Sequence, residues 1–306
     1  MIGLLVGGWW WWPKQNQVIL SPEAPWVQIE KPLEKYSFES LREKVFKGSE
    51  IEIKEDIFYY TVEGYRISGQ IKVPTGRLPV GGWPVVIMIR GYVDKEIYET
   101  GVGTRNAAAY FAKNGFMTLA PDFLGYGESD MPPNNSLEER FMRPGQVLEL
   151  IASVKNIEDA NKDKISIWGH SNGGQIALSV LEISGKDYPT SLWAPVSKPF
   201  PYSILYYTDE FDDYGRALRK VVAGFEAMYE AQDYSIHEYY DWIKAPIQIH
   251  QGTNDDAVPV EWSRELAEKL EELDKEVELY VYPGADHNLK GAWDAAVVRD
   301  LEWFRR

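Results

Sequence analysis

Along the chain, apolar positions fall into two alternating rhythms. From Glu50 to Tyr60 polar and apolar residues alternate before giving way to an apolar-aromatic run, Glu63-Gly64 forms a turn, and Tyr65 to Val73 alternates again. That period of two predicts a β-hairpin. After a loop at Gly76 to Gly82, the run Pro84 to Ile89 is apolar at nearly every position. A continuous run of this length predicts a strand covered on both faces, as in parallel sheets. Such strands recur at Phe116 to Ala120, at Ile165 and after, at Ser191 to Ala194, Pro246 to His250 and Val277 to Tyr282. Between them lie helical spacings at Arg105 to Lys113, Gln146 to Val154, Gln175 to Ile183, Val260 to Leu273 and Gly291 to Phe304. Strand and helix in alternation predict an α/β fold, a mostly parallel, doubly wound sheet with helices on both faces.

The strand at Ile165 runs straight into Gly169-His170-Ser171-Asn172-Gly173, and the helix begins at once. A G-x-S-x-G at a strand-to-helix junction has a mechanical purpose: its glycines permit a strained turn that lifts the serine hydroxyl out of the sheet edge. The helix start then points free N–H groups at whatever the serine attacks. A serine needs a base, and the base needs a carboxylate to fix its tautomer. Two later loops, each following a predicted strand, supply these groups. One is Gly252-Thr253-Asn254-Asp255-Asp256-Ala257-Val258-Pro259 and the other Pro283-Gly284-Ala285-Asp286-His287-Asn288.

With the order Ser171, Asp255, His287, the chain resembles the α/β-hydrolase superfamily over roughly residues 50 to 306. Gly252 to Pro259 matches G-T-x-D-x-x-V-P and Gly284 to His287 matches G-x-x-H. Asp122 to Ser129 resembles the D-x-x-G-x-G-x-S loop, and Gly91-Tyr92 follows the Pro84 to Ile89 strand. The resemblance is strongest to dienelactone-hydrolase, acetyl-esterase and prolyl-oligopeptidase-like catalytic domains. It implies Ser171 as nucleophile, His287 as base and Asp255 as the orienting acid, with Asp256 the competing acid. It further implies an oxyanion hole from the backbone N–H groups of Asn172 and Tyr92. Where acetyl esterases carry H-G-Y, this chain has Arg90. Asp122 and Ser129 read as turn-forming residues, and His170 and His250 as packing beside the site. The activity implied is that of a serine hydrolase, foremost a carboxylesterase on a small-molecule ester, with a prolyl-oligopeptidase-like serine peptidase and an inactive binding protein on the same fold as alternatives. About 50 residues precede the hairpin, too few for the N-terminal propeller of those peptidases, which favours the esterase.

Between the Ser191 and Pro246 strands, residues of about 198–241 form an insertion at the position where such folds carry a lid. Phe200, Tyr202, Tyr206 and Tyr207 are its candidate pocket residues, a small aromatic core of its own being the alternative. Residues 200–241 hold nine acidic and three basic side chains. A lid of that sign would disfavour anionic substrates.

Bulk properties narrow the rest. A net charge of −15 over 306 residues excludes nucleic acid as the expected partner. With no cysteine and four histidines lacking ligand spacing, neither a metal nor a cofactor is expected. Residues 1–48 read as an apolar N-terminal segment and extended linker ahead of a catalytic domain at 49–306. Trp9 to Trp12 suit contact with a membrane surface, or packing on the domain or a partner. The location is membrane-associated or extracytoplasmic if that segment is an anchor, and otherwise cytoplasmic.

Overall fold

A computed structural model describes residues 31–306, of which Pro32–Arg306 forms one folded unit. The expectations for Trp9 to Trp12 lie outside the described residues. No helix among the described residues is long and apolar enough to cross a membrane.

Among the described residues nine strands form one sheet: β1 Glu52–Lys54, β2 Ile57–Val62, β3 Tyr65–Lys72, β4 Trp83–Ile89, β5 Met117–Pro121, β6 Ala160–His170, β7 Thr190–Trp193, β8 Ile247–Gly252 and β9 Val277–Tyr282. Their order is β1-β2-β3-β5-β4-β6-β7-β8-β9. The first three strands pair antiparallel, and β3 meets β5 antiparallel; from β5 onward every pairing is parallel. Helices α1 Phe38–Glu43, α2 Arg105–Lys113, α3 Ser136–Ser153, α4 Asn172–Ser184, α5 Tyr202–Leu205, α6 Arg216–Glu226, α7 Val260–Glu272 and α8 Trp293–Trp303 complete it.

The continuous apolar run of β4 is explained by its position in the sheet. Val85, Ile87 and Ile89 belong to one core with side chains of α1, α3, α4 and α7, while Val86 and Met88 belong to a second with α2 and α8. Alternate residues of a strand point to opposite faces, so both sets must be apolar. All five are fully buried, each contributing about 1.5–3 kcal/mol of transfer free energy.

Three expectations change. The stretch Glu50 to Tyr60 is two strands, because Glu55, at φ 56°, turns the chain before β2 and lays exposed β1 back along it. The helix expected from Gln146 starts ten residues earlier. Asn135 caps it, its side chain accepting from the N–H groups of Leu137 and Glu138 at 3.0 and 3.3 Å, and Pro144 is carried inside the helix. The linker ending at residue 48 is also revised, since Pro32 onward belongs to the catalytic unit. Ser37 caps α1, accepting from the N–H of Ser40, and Leu33, Tyr36, Phe38 and Leu41 are buried in the main core. Arg42 reaches across to the carbonyl of Glu182 on α4 at 2.8 Å. These contacts are distant in sequence, which is why the local pattern of prolines and charges read as linker.

Leu41 measures that revision directly. Leu41→Ala should destabilise the protein by about 2–5 kcal/mol in urea unfolding, whereas a true linker position would change stability by less than about 0.5 kcal/mol.

Candidate active site

Ser171 stands between the end of β6 and the first turn of α4 with φ 56° and ψ −122°. A non-glycine residue held there stores about 1–3 kcal/mol of strain, so its surroundings must over-determine it. They do so through three backbone bonds. The Ser171 N–H donates to the carbonyl of Trp193 at 2.9 Å, and its own carbonyl accepts from Gly174 at 2.9 Å and Val196 at 3.0 Å. Both Trp193 and Val196 come from the neighbouring strand and its following loop, so sheet pairing itself fixes the turn. Gly173 is obligatory for a second reason: a Cβ there would lie 2.0 Å from the carbonyl oxygen of Ile89.

His287 and Asp255 come from the loops after β9 and β8, adjacent parallel strands. His287 Nδ1 lies 3.0 and 2.9 Å from the two carboxylate oxygens of Asp255. A carboxylate only accepts, so Nδ1 carries the hydrogen and Nε2 keeps a free lone pair. This tautomer can take a proton from a hydroxyl. Asp255 is held as firmly as it holds. Its Oδ1 accepts from the N–H groups of Ala257 and Val258 at 2.9 and 2.8 Å, and its Oδ2 from Gln251 Nε2 at 2.9 Å. Burial alone would raise its pKa. The hydrogen bonds from His287, Val258 and Gln251 outweigh that, and the carboxyl sits below its ordinary value. The neighbouring Asp256 is exposed, and the geometry therefore selects Asp255 over it.

Among the described residues Ser171 makes no hydrogen bond to His287; free enzymes often show this contact open. The two loops are joined instead through His170, the residue before the serine. Its Nε2 lies 3.0 Å from the carbonyl of His287, and the two rings are 4.7 Å apart. A carbonyl accepts only, so His170 donates from Nε2. Burial first, and the nearby His287 second, lower its pKa to about 4, which keeps it neutral near pH 7. A neutral ring adds no charge to compete with His287.

On the other side of Ser171 runs the loop after β4. A Cβ built on Gly91 would meet that of Ser171 at 3.0 Å, so this backbone passes directly beside the serine. Asn172 N–H, at the first position of α4, has no partner within the helix. The Tyr92 side chain is exposed, its hydroxyl bonded to Asp94 at 2.6 Å. Arg90 explains how the loop holds shape without the histidine of acetyl esterases. Buried against Tyr98 and Tyr126, it donates to the carbonyls of Gly91 and Asp122, both at 2.9 Å. Asp122 is a turn anchor, accepting from Ser68, Tyr98 and Thr100.

The insertion resolves differently from a simple aromatic pocket wall. Phe200 is buried in the main core, its ring 5.2 Å from that of Phe141 on α3, with Phe225 and Tyr234 in the same cluster. Tyr202 and Tyr206 lie against Trp262 of α7 and remain partly exposed; Tyr207 stacks edge-on against Tyr206. The buried aromatics of the insertion thus join the main core rather than forming one of their own, and Phe200 lines a cavity that Asn172 also lines.

Two features escaped sequence reading. Gln251, fully buried, bridges Asp255 to Ser263 of α7, whose hydroxyl donates to it at 2.7 Å. Arg140 of α3 bonds to Gln175 of α4, one turn beyond Asn172. Neither carries a local motif. No group of three or more His, Asp or Glu side chains suited to a metal occurs among the described residues.

Comparison with known proteins places this geometry in context. Residues 103–306 match the model of the prolyl oligopeptidase family. The chain is 27% identical over 259 residues to "Uncharacterized peptidase YtmA" of Bacillus subtilis, covering 80% of this chain and 91% of that protein. It superimposes on Est1E from Butyrivibrio proteoclasticus, solved with ferulic acid bound, with a TM-score of 0.58 and 18% identity, over 81% of this chain and 99% of the other. A puromycin-hydrolyzing peptidase of Mycobacterium tuberculosis gives a TM-score of 0.59 and 19% identity, covering 85% of this chain but only 40% of that one.

Two changes test the geometry. Gly91→Ala should lower kcat by about 10-fold, because its Cβ would press on that of Ser171 at 3.0 Å and shift it by a fraction of the 1 Å that costs about 100-fold; unchanged kcat in steady-state kinetics would mean that the loop is not part of the site. The depressed pKa of Asp255 stabilises the fold above the unfolded carboxyl value of about 4, and that contribution is lost as pH falls through the lower folded value. Asp255→Asn should therefore flatten the acid side of a pH-stability curve, and an unaltered curve would contradict the assigned hydrogen bonds.

Proposed function

The chain belongs to the prolyl oligopeptidase family and is a serine hydrolase of the α/β-hydrolase type, and on that premise we propose that it cleaves carboxylic esters through a Ser171 acyl-enzyme. The observation carrying the proposal is the His287–Asp255 pair held at 2.9 Å beside the strained Ser171 turn. Ser171 attacks the ester carbonyl while His287 Nε2 takes its proton, and Asp255 stabilises the imidazolium. The tetrahedral oxyanion is held by the N–H groups of Asn172 and Tyr92. His287 then protonates the departing alcohol, and water repeats the sequence to release the acid. Ester cleavage is the first reading because an alkoxide leaves with less help from a general acid than an amine does. The insertion of residues 198–241, which brings Phe200 to a cavity shared with Asn172, acts as a cap on the acyl side.

Short peptides are the second reading, favoured by the family and by the names of two relatives, a peptidase of Bacillus subtilis and a puromycin-hydrolyzing peptidase.

The deciding comparison is kcat/KM for a short-chain p-nitrophenyl ester against a matched aminoacyl p-nitroanilide. The ester should be strongly preferred, and Ser171→Ala should lower its turnover by about 10⁶-fold. Comparable anilide cleavage would move the protein to the peptidase reading. Turnover of neither substrate, together with no labelling of Ser171 by a fluorophosphonate, would leave a binding protein on this fold.

A further inference from the structure

We propose that Arg140 anchors a free carboxylate on the substrate, so that the preferred substrates are acyl compounds ending in a carboxylate. The inference rests on the acyl-hydrolase reading above and narrows its substrate class.

Arg140 lies on α3 with its guanidinium directed onto α4, where Nη2 donates to Gln175 Oε1. Gln175 is itself fixed, its Nε2 donating to the carbonyl of Lys198 at 3.0 Å. Being three residues beyond Asn172, it sits one helical turn from the proposed oxyanion donor and on the same face. Arg140 is thus tied, through one rigid amide, to the helix that begins at the nucleophile.

What Arg140 lacks is an acid. Its neighbour Arg143 is paired with Glu139 at 3.0 Å, but among the described residues no carboxylate lies within ion-pair distance of Arg140. Burial first, and the Arg143 charge second, pull its pKa down to about 9, which still leaves it cationic at neutral pH. Arg140 is half-buried, with Tyr207 nearby and a neutral amide as its hydrogen-bond partner, and a guanidinium offers several further donors.

The space beside it has the size for one small anionic group. Arg140, Arg143, Asn172 and Gln175, with Tyr36, Ser179 and Tyr234, line it on the polar side and Phe200 and Ile236 are part of its apolar lining, around a free volume of about 40 Å³. That volume admits a group of a few heavy atoms. A carboxylate meets the guanidinium fork in two parallel hydrogen bonds, which a neutral ester or amide oxygen cannot do. The acidic insertion argues the other way, yet Asp209, Asp212 and Asp213 are exposed. Exposed charges are screened within about 8 Å at physiological salt. A direct contact with the partly buried Arg140 therefore outweighs them.

The test uses two p-nitrophenyl esters differing at one end, mono-p-nitrophenyl glutarate and its methyl ester, with the full chain and with Arg140→Gln and Arg140→Lys. The readout is the ratio of kcat/KM for the carboxylate over the methyl ester, so that a general loss of activity in a variant cancels. Wild type should favour the carboxylate by about 10- to 100-fold, the range of a hydrogen bond to a charged group. Arg140→Gln should bring the ratio to about one, mainly through KM, and Arg140→Lys should retain part of it. A wild-type ratio at or below one would overturn the proposal. So would an undiminished ratio in Arg140→Gln, which would leave Arg140 as a tie between α3 and α4. For a variant that fails to fold, protection of wild-type Ser171 from a fluorophosphonate by glutarate stands in: it should exceed protection by dimethyl glutarate, and equal protection would contradict the assignment. Turnover of neither ester by the wild type would sink the hydrolase reading itself, a result distinct from active hydrolysis without carboxylate preference.

Discussion

The backbone of Ser171 is the constraint on which the other parts depend. A serine at φ 56° and ψ −122° persists because the carbonyl of Trp193 takes its N–H while the N–H groups of Gly174 and Val196 meet its carbonyl. Those partners exist only if β7 lies beside β6 in parallel register, with His170 opposite Trp193. Register in turn rests on the burial of both faces of the central strands, since a slip of one residue would exchange the two cores. The strain at one residue is therefore maintained by the hydrophobic pattern of the entire sheet.

From that fixed point the chemistry is assembled by adjacency. β8 and β9 pair in register from Ile247 with Val277 to Gly252 with Tyr282, so the loops bearing Asp255 and His287 leave the sheet side by side. Asp255 is anchored by two backbone N–H groups and by Gln251, and His287 is tethered through its carbonyl to neutral His170. Each potential reacting group thus has its orientation set by a neighbour that does not react. Arg90 performs the same service for the loop beside Ser171, replacing a histidine with a guanidinium clamped between two carbonyls.

What was legible in the sequence was whatever leaves a local mark. The glycines around Ser171, the apolar runs of the parallel strands and the two loops carrying Asp255 and His287 announce themselves within a few residues. Contacts between distant segments leave no such mark. Tyr36, Phe38 and Leu41 follow three prolines and read as linker until α4 and α3 are seen to cover them. The helix expected from Gln146 begins at Ser136 and runs through Pro144 and Gly145, because tertiary burial outweighs local propensity. Asp300 gives no signal at all, although it is fully buried and takes hydrogen bonds from Gln248 at 2.7 Å and Trp193 at 2.9 Å. The insertion was legible as aromatic, but the assignment of Phe200 to the core required the ring of Phe141.

The central claim is that Ser171 is a nucleophile activated by His287. Its most direct measurement is the rate at which a fluorophosphonate labels the folded protein, followed by peptide mapping, in wild type and in His287→Ala. The account predicts labelling confined to Ser171 and slowed by several orders of magnitude when the imidazole is removed. Labelling elsewhere, or at Ser171 with a rate unaffected by His287→Ala, would contradict it.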